Sequence, residues 1–209
     1  MSRRPREWYP GAFLHLMSRG NRKEAIFRNA QDYITFLCML ETTQTKYPFD
    51  LHAFCLMTNH FHLLVGTREE HVSKIMQFLL KRFTDFFNYK YDLVGHLFQG
   101  RYTSSIIKDD RYFMEVSRYI HMNPVKAGLV HYAEDYTYSS YPAYINGRNL
   151  RILKKDRVLS YFGGDNSQGI DAYRDFVEKS PAHEEHEEQI RKEMRENELW
   201  IPVATSMEK

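Results

Sequence analysis

Two histidines one residue apart, His60 and His62, interrupt the apolar run MTNHFHLLV at 57–65. Side chains alternate faces along a strand, so both imidazoles point one way with Leu64, while Phe61, Leu63 and Val65 point the other. Neutral ring nitrogens one pleat apart can share one cation. Two ligands do not fill a coordination shell, and taken alone the pair reads first as ordinary hydrogen-bonded core or surface histidines. The stretch SRYIHMNPVKAGLV at 117–130 brings companions. Tyr119 and Asn123 are four residues apart and share one face of a predicted helix. Asn123 can offer its amide oxygen as a third ligand, with the Tyr119 hydroxyl one turn away. Glu115, four residues before Tyr119, shares that face and is the rival ligand. Pro124 disfavours continued helix at Asn123. By spacing alone, Tyr119 is also an ordinary half-buried helix tyrosine.

The elements that must position these groups follow from periodicity. AFLHLMS (12–18) reads as a strand, and RGNRKEAIFRN after it as a long polar loop. Asn29 caps a helix over about residues 30–46, with Tyr33, Phe36, Leu37 and Leu40 as its apolar stripe. FDLHAFCLM (49–57) and HFHLLVG (60–66) form a hairpin across Thr58 and Asn59. Residues 72–90 carry apolar side chains at spacings of three and four, as in a long amphipathic helix. LFQGRYTSSIIK then reads as a strand, and Asp109 or Asp110 opens a helix to about Met122. The order matches an α+β, ferredoxin-like βαββαβ unit. Its third strand is interior, which puts HFHLLV at the centre of an antiparallel sheet. Phe61, Leu63 and Val65 should pack on the two helices. The helix after the last strand can then cover the histidine face, giving helices on both faces.

Composition bounds the rest. The 209 residues suit one domain with an appendage, divided as 1–150 and a C-terminal helical extension at 151–209. With 43% hydrophobic and 27% charged residues, and no window near the ~20 apolar residues of a membrane span, the expectation is a soluble, cytoplasmic protein with no membrane partner. The start, MSRRPREWYPG, lacks the apolar stretch of a signal peptide. Cys38 and Cys55 read as buried thiols rather than a disulfide. The net charge of +2 divides into about +5 for residues 1–150 and −3 for 151–209. Aromatics at 15%, several beside Lys or Arg, suit single-stranded nucleic acid, although each such stretch also reads as core plus solvated charge. YSSYPAYI, KKDRVLSYF and GIDAYRDFVEK read as short helices. Residues 183–198 read as a solvated helix with Glu187–Arg191 and Glu188–Lys192 pairs and no chemistry of their own.

The histidine-hydrophobe-histidine strand followed by YIHMNPVKAGL resembles the single-tyrosine HUH transposases, most closely their REP-associated tyrosine transposase branch. MSRGNRKEAIF, MTNHFHLLV, GHLFQGRY, RYIHMNPVKAGLV and YTYSSYPAY fall in that family's order over about residues 9–145. The resemblance implies an HUH endonuclease fold, metal ligands His60, His62 and Asn123, and Tyr119 as nucleophile. It implies Mg²⁺ or Mn²⁺ as cofactor and a single-stranded DNA hairpin, a short imperfect palindrome, as partner. The implied chemistry is nicking and strand transfer near the hairpin foot through a 5′-phosphotyrosine, with a free 3′-hydroxyl able to reverse the step, in DNA transposition or REP-like element mobilisation. Relatives act as monomers or homodimers, and either state is open here. Substrate grip is expected from Arg19, Asn21, Arg22 and Lys23 in the first loop, Lys81 and Arg82 on the long helix, and Arg101 beside Tyr102.

Three other readings share the sequence. A non-catalytic single-stranded nucleic-acid-binding module of ferredoxin-like fold predicts metal-independent binding that survives loss of Tyr119. A zinc hydrolase using His60, His62 and Glu115 predicts water as nucleophile and no protein–DNA adduct. A domesticated relative predicts the same chemistry in the service of the host.

Overall fold

The computed structural model describes residues 7–147, 149–179 and 187–192. Four strands, β1 (Phe13–Arg19), β2 (Phe49–Met57), β3 (His60–Thr67) and β4 (Thr103–Ile106), form one sheet in the order β2-β3-β1-β4, with every pairing antiparallel. Helix α1 (Ala30–Lys46) joins β1 to β2, and α2 (Val72–Tyr91) joins β3 to β4. This is the expected βαββαβ order, with β3 interior between β1 and β2. Helix α3 (Asp110–Lys126) follows β4, and α4 (Tyr141–Ile145), α5 (Asp156–Ser160) and α6 (Ser167–Glu178) come after it, with a helical turn at 187–192.

Both sheet faces are covered. Leu14 and Leu16 of β1, Phe54 and Leu56 of β2, and Phe61, Leu63 and Val65 of β3 pack against the apolar stripes of α1 and α2. On the other face Met17, Ala53, Cys55, Met57 and Leu64 meet Val116, Tyr119 and Ile120 of α3, with α4, α5 and α6 behind. Strand β2 changes phase to serve both cores. Phe49 and Leu51 face α1 and α2, but the register shifts between Leu51 and Ala53. The extra residue, His52, is a β-bulge that lets Phe54 and Leu56 keep facing α1 and α2 while Ala53, Cys55 and Met57 face α3.

Local chemistry starts each helix. The Asp32 carboxylate, in the first turn of α1, accepts from Arg28 N (2.7 Å) and Asn29 N (3.2 Å), and also from Lys90 Nζ and Tyr91 Oη at the end of α2. The His71 ring accepts from Ser73 N to open α2, and Asp109 accepts from Tyr112 N to open α3.

The structure corrects several expectations. The last strand is confined to Thr103–Ile106; Phe98 keeps only an isolated bridge to Gly20. Helix α3 runs through Pro124 to Lys126, because in the last turn proline forfeits only one backbone bond. Ala127 N to Asn123 O and Leu129 N to Pro124 O close that end, with Gly128 at φ +67°. Cys38 is exposed, since it falls off the apolar stripe of α1, whereas Cys55 is buried; both are free. Residues 183–186 and 193–198 of the expected solvated helix lie outside the described residues. Within 187–192, Ile190 is buried and Glu187 pairs with Lys126 and Arg118, so that turn packs on α3 instead of standing in solvent. Glu187 and Arg191 are 3.7 Å apart, the expected i,i+4 pair. No helix among the described residues is long and apolar enough to cross a membrane.

Candidate active site

Strand alternation and register build the site. His60 and His62 leave β3 on the face covered by α3, where His60 stands opposite Arg19, His62 opposite Met17 and Leu64 opposite His15. The rings of His60 and His62 lie 5.0 Å apart at 89°. Each has its Nδ1 engaged: His60 Nδ1 with Asn59 Oδ1 at 2.7 Å, and His62 Nδ1 with His15 Nε2 at 3.0 Å. The Asn59 amide oxygen can only accept, so His60 carries its proton on Nδ1 and leaves Nε2 for a cation, as outer-shell groups arrange in metal sites. His62 presents Nε2 in the same way when His15 Nε2 is the acceptor of their shared bond. Burial also holds the three rings neutral. The pKa values of His15 and His60 fall to about 3, with the Arg19 charge adding to the effect on His60, and that of His62 falls well below its ordinary value.

Helix α3 lays Tyr119 over this histidine row. Its ring meets His62 edge-on at 5.7 Å and His15 at 6.1 Å. Tyr119 is 8% exposed, and burial pushes its phenol up to about 12. The Arg191 charge and a hydrogen bond from Asn123 work against that rise, and the Glu187 charge adds to it. Lys126 lies 5.5 Å from the ring centre of Tyr119 and is hydrogen-bonded to Glu187. Asn123, one turn after Tyr119, donates Nδ2 to Tyr119 O at 2.7 Å, which reserves its amide oxygen as an acceptor.

Of the residues singled out from sequence, Tyr119, His60 and His62 thus come from α3 and β3 to one face, and Asn123 reaches that group through Tyr119. Glu115 does not complete a cluster with the histidines. It is buried one turn before Tyr119 with Arg118 Nη1 at 3.9 Å, and no three His, Cys, Asp or Glu side chains among the described residues converge as a metal site. Two imidazoles and an amide oxygen are three donors, fewer than a closed four-ligand zinc site needs, and the amide oxygen is a donor that Mg²⁺ and Mn²⁺ accept.

The expected DNA-gripping residues divide. Arg19 is not a loop residue: it ends β1, is 9% exposed and faces His60. Asn21, Arg22 and Lys23 form a 3₁₀ turn just beyond it, with Arg22 and Lys23 in the left-handed region (φ 52° and 63°). Asn59 ties this turn to the site, donating Nδ2 to Lys23 O at 3.0 Å while its Oδ1 holds His60. Arg22 also lines a cavity of about 160 Å³ with Arg28, Phe87 and His96. Arg101 is exposed just before β4. Lys81 and Arg82 are exposed on α2, on the opposite side of the sheet from Tyr119; Lys81 pairs with Asp85 and Arg82 lies over Phe78.

Sequence reasoning missed His15 and Asn59. The signal for His15 was its place in the strand AFLHLMS, in phase with Met17 and Arg19. The signal for Asn59 was its position next to His60 in a tight hairpin.

Comparison with known proteins gives the fold a family. The family described as Transposase IS200 like matches residues 10–123, more than half of the chain, from β1 through Asn123. A Haemophilus influenzae protein named as a REP-associated tyrosine transposase is 32% identical over 123 residues, which span 53% of this chain and 69% of the relative. Among solved structures, a REP-associated tyrosine transposase bound to a REP hairpin superposes with a TM-score of 0.61 at 19% identity, covering 75% of this chain and 93% of that one. The shared fold, the ordered match through both halves of the site and the relative's identity lead to one assignment: the chain belongs to the IS200-like transposase family, in its REP-associated tyrosine transposase branch.

Proposed function

We propose that this transposase nicks and rejoins single-stranded DNA near the foot of a hairpin, using Tyr119 as a covalent nucleophile. The observation that carries the reading is the placement of the Tyr119 ring edge-on against His62, on the sheet face shared by His60 and His62. A structure titled as a REP-associated tyrosine transposase bound to a REP hairpin supports a hairpin as the DNA partner.

His60, His62 and Asn123 would hold the divalent cation, Mg²⁺ or Mn²⁺. When bound, it supplies Lewis-acid polarisation of the scissile phosphate and charge neutralisation. The chain's own groups do the rest. Asn59 keeps His60 in the tautomer that presents Nε2, and His15, accepting from His62 Nδ1, would do the same for His62. Tyr119 Oη attacks phosphorus, the bond from phosphorus to the 3′-oxygen breaks, and the products are a 5′-phosphotyrosine and a free 3′-hydroxyl. Because the phosphotyrosine conserves the bond, another 3′-hydroxyl can attack it and release Tyr119, which joins strands without a nucleotide cofactor. With its pKa pushed up to about 12, Tyr119 is protonated at rest and loses its proton as it attacks. The exposed Arg22, at the tip of a turn anchored by Asn59, suits contact with DNA phosphates.

The test is covalent capture. Purified protein and the Tyr119→Phe variant are incubated with end-labelled single-stranded hairpin DNA in Mn²⁺ or EDTA and resolved on a denaturing protein gel. A labelled adduct that needs both Mn²⁺ and Tyr119 is expected. Hairpin binding unaffected by EDTA and by Tyr119→Phe, with no adduct under any condition, would replace this reading with a non-catalytic single-strand-binding module.

A further inference from the structure

Arg19 is the last residue of β1, directly opposite His60, so its side chain leaves the sheet on the face of the proposed catalytic site. It is 9% exposed, its Nε is buried without a hydrogen-bond partner, and no carboxylate among the described residues pairs with it. A buried guanidinium without a counter-charge is unfavourable, and folded chains seldom keep one. On the neighbouring strand Thr103 stands opposite Met17, which places it on the same face, diagonal to Arg19. Thr103 is 3% exposed, and its Oγ1 is likewise buried and unpartnered. Two unsatisfied groups able to donate hydrogen bonds therefore lie on this face, Arg19 level with His60 and Thr103 level with His62 across β1. An anion with several acceptor oxygens satisfies both.

We infer that Arg19 is a catalytic residue: its guanidinium, with the Thr103 hydroxyl beside it, grips the non-bridging oxygens of the phosphate that Tyr119 attacks. The inference rests on the strand-transfer reading and gives it a specific electrophile. As the bond from Tyr119 Oη to phosphorus forms and the bond to the 3′-oxygen breaks, negative charge grows on the equatorial oxygens. Arg19 stabilises that charge through hydrogen bonds and gives up no proton; the phenolic proton is lost to solvent and the departing 3′-oxygen gains one. This role differs from that of Arg22, which is exposed and meets DNA wherever the backbone passes. Arg19 is inside the site, where a fixed charge contributes more than in water and needs no reorganisation.

The experiment compares wild type, R19A, R19Q and R19K in single-turnover adduct formation with the hairpin and Mn²⁺, and in hairpin binding in EDTA. The rate should fall about 10²–10³-fold in R19A, the cost of removing one preorganised donor from a developing anion. Hairpin affinity should change only a few-fold, methylguanidine should restore part of the R19A rate, and R19K should lie between R19A and wild type. In EDTA, inorganic phosphate should raise the Tm of wild type relative to chloride at equal ionic strength, and R19Q should lose that rise. A wild-type adduct rate in R19A overturns the inference. So does a loss of rate matched by a loss of hairpin affinity, with no recovery in methylguanidine. If wild type itself forms no adduct, the strand-transfer reading falls, and the phosphate shift then decides the anion site alone. A shift present in wild type and lost in R19Q supports it; equal behaviour of the two proteins overturns it.

Discussion

Lowering the pH from 7.5 to 5.5 should remove a large part of this protein's stability, and the cause is buried histidine. Burial depresses His15, His60 and His121 to about 3 and His52 to about 4, and holds His62 well below its ordinary value. His121 is the clearest case: its Nε2 meets Ser140 Oγ at 2.7 Å and its Nδ1 meets Tyr173 Oη at 2.8 Å, all inside the α3–α6 core. In the unfolded chain each imidazole returns to a pKa of about 6.5. Because the folded values are lowered, the unfolded state binds more protons below pH 6.5. The stabilisation is complete above that pH and is lost as the pH falls through 6.5 towards the folded values. At pH 5.5 each of His15, His52, His60 and His121 costs about 1.4 kcal/mol, together about 6, and His62 acts in the same direction, against a typical domain stability of roughly 5–15 kcal/mol. Urea unfolding followed by circular dichroism, in EDTA at pH 7.5, 6.5 and 5.5, measures this directly. The midpoint should fall steeply below pH 6.5 with little change in slope, and H121Q should remove about 1.4 kcal/mol of the pH 5.5 loss whatever its effect at pH 7.5. A stability that changes by less than about 2 kcal/mol between pH 7.5 and 5.5 would refute the reasoning, because it would mean that these rings accept protons in the folded state.

Three further outcomes follow from contacts described above. His15→Phe should leave the fold intact but weaken Mn²⁺ binding about 10–100-fold, measured by electron paramagnetic resonance, because His62 loses the partner that orients it; unchanged affinity would deny His15 that role. Asp32→Ala should cost about 3–5 kcal/mol in urea unfolding, since Lys90 and the Arg28 and Asn29 amides lose a fully buried acceptor; a cost under 1 kcal/mol would show that the cluster is not what joins α1 to α2. R22A/K23A should weaken hairpin binding and flatten its salt dependence, whereas K81A/R82A, on the far side of the sheet, should change affinity less than twofold. Fluorescence anisotropy over a salt series separates the two variants, and equal losses would place DNA on α2 as well.

The sequence carried most of the fold because each element has a clear period. Helix α2 shows its stripe at spacings of three and four, and the β2–β3 hairpin shows two apolar runs broken by Thr58 and Asn59. Tyr119 and Asn123 were legible for the same reason, as one helical turn on one face. Long-range register was not. His15 could be placed on a strand, but its bond to His62 depends on which residues β1 and β3 set opposite each other. Ending the first strand at Ser18 instead of Arg19 was an error of a single residue, yet it moved Arg19 from the inside of the site to a solvated loop. The lone turn at 187–192 looked like a charged, wet surface because its pattern is mostly Glu and Arg. Its burial comes from Ile190 and from the cations on α3, which no local window displays.

The bulge at His52 sets what a sequence change at this position can disturb. Excising the residue would join Leu51 to Ala53 in strict alternation, so Phe49, Leu51, Phe54 and Leu56 would still face α1 and α2 while Ala53, Cys55 and Met57 faced α3. The two cores therefore do not fix the length of β2 here. What the extra residue supplies is a set of ties to the side of the sheet covered by α3: its carbonyl accepts from Tyr144 Oη, its Nδ1 meets Lys154 O at 3.1 Å, and its ring packs near those of Phe13 and Phe113. Loss of His52 would undo those ties and leave the facing of the strand intact.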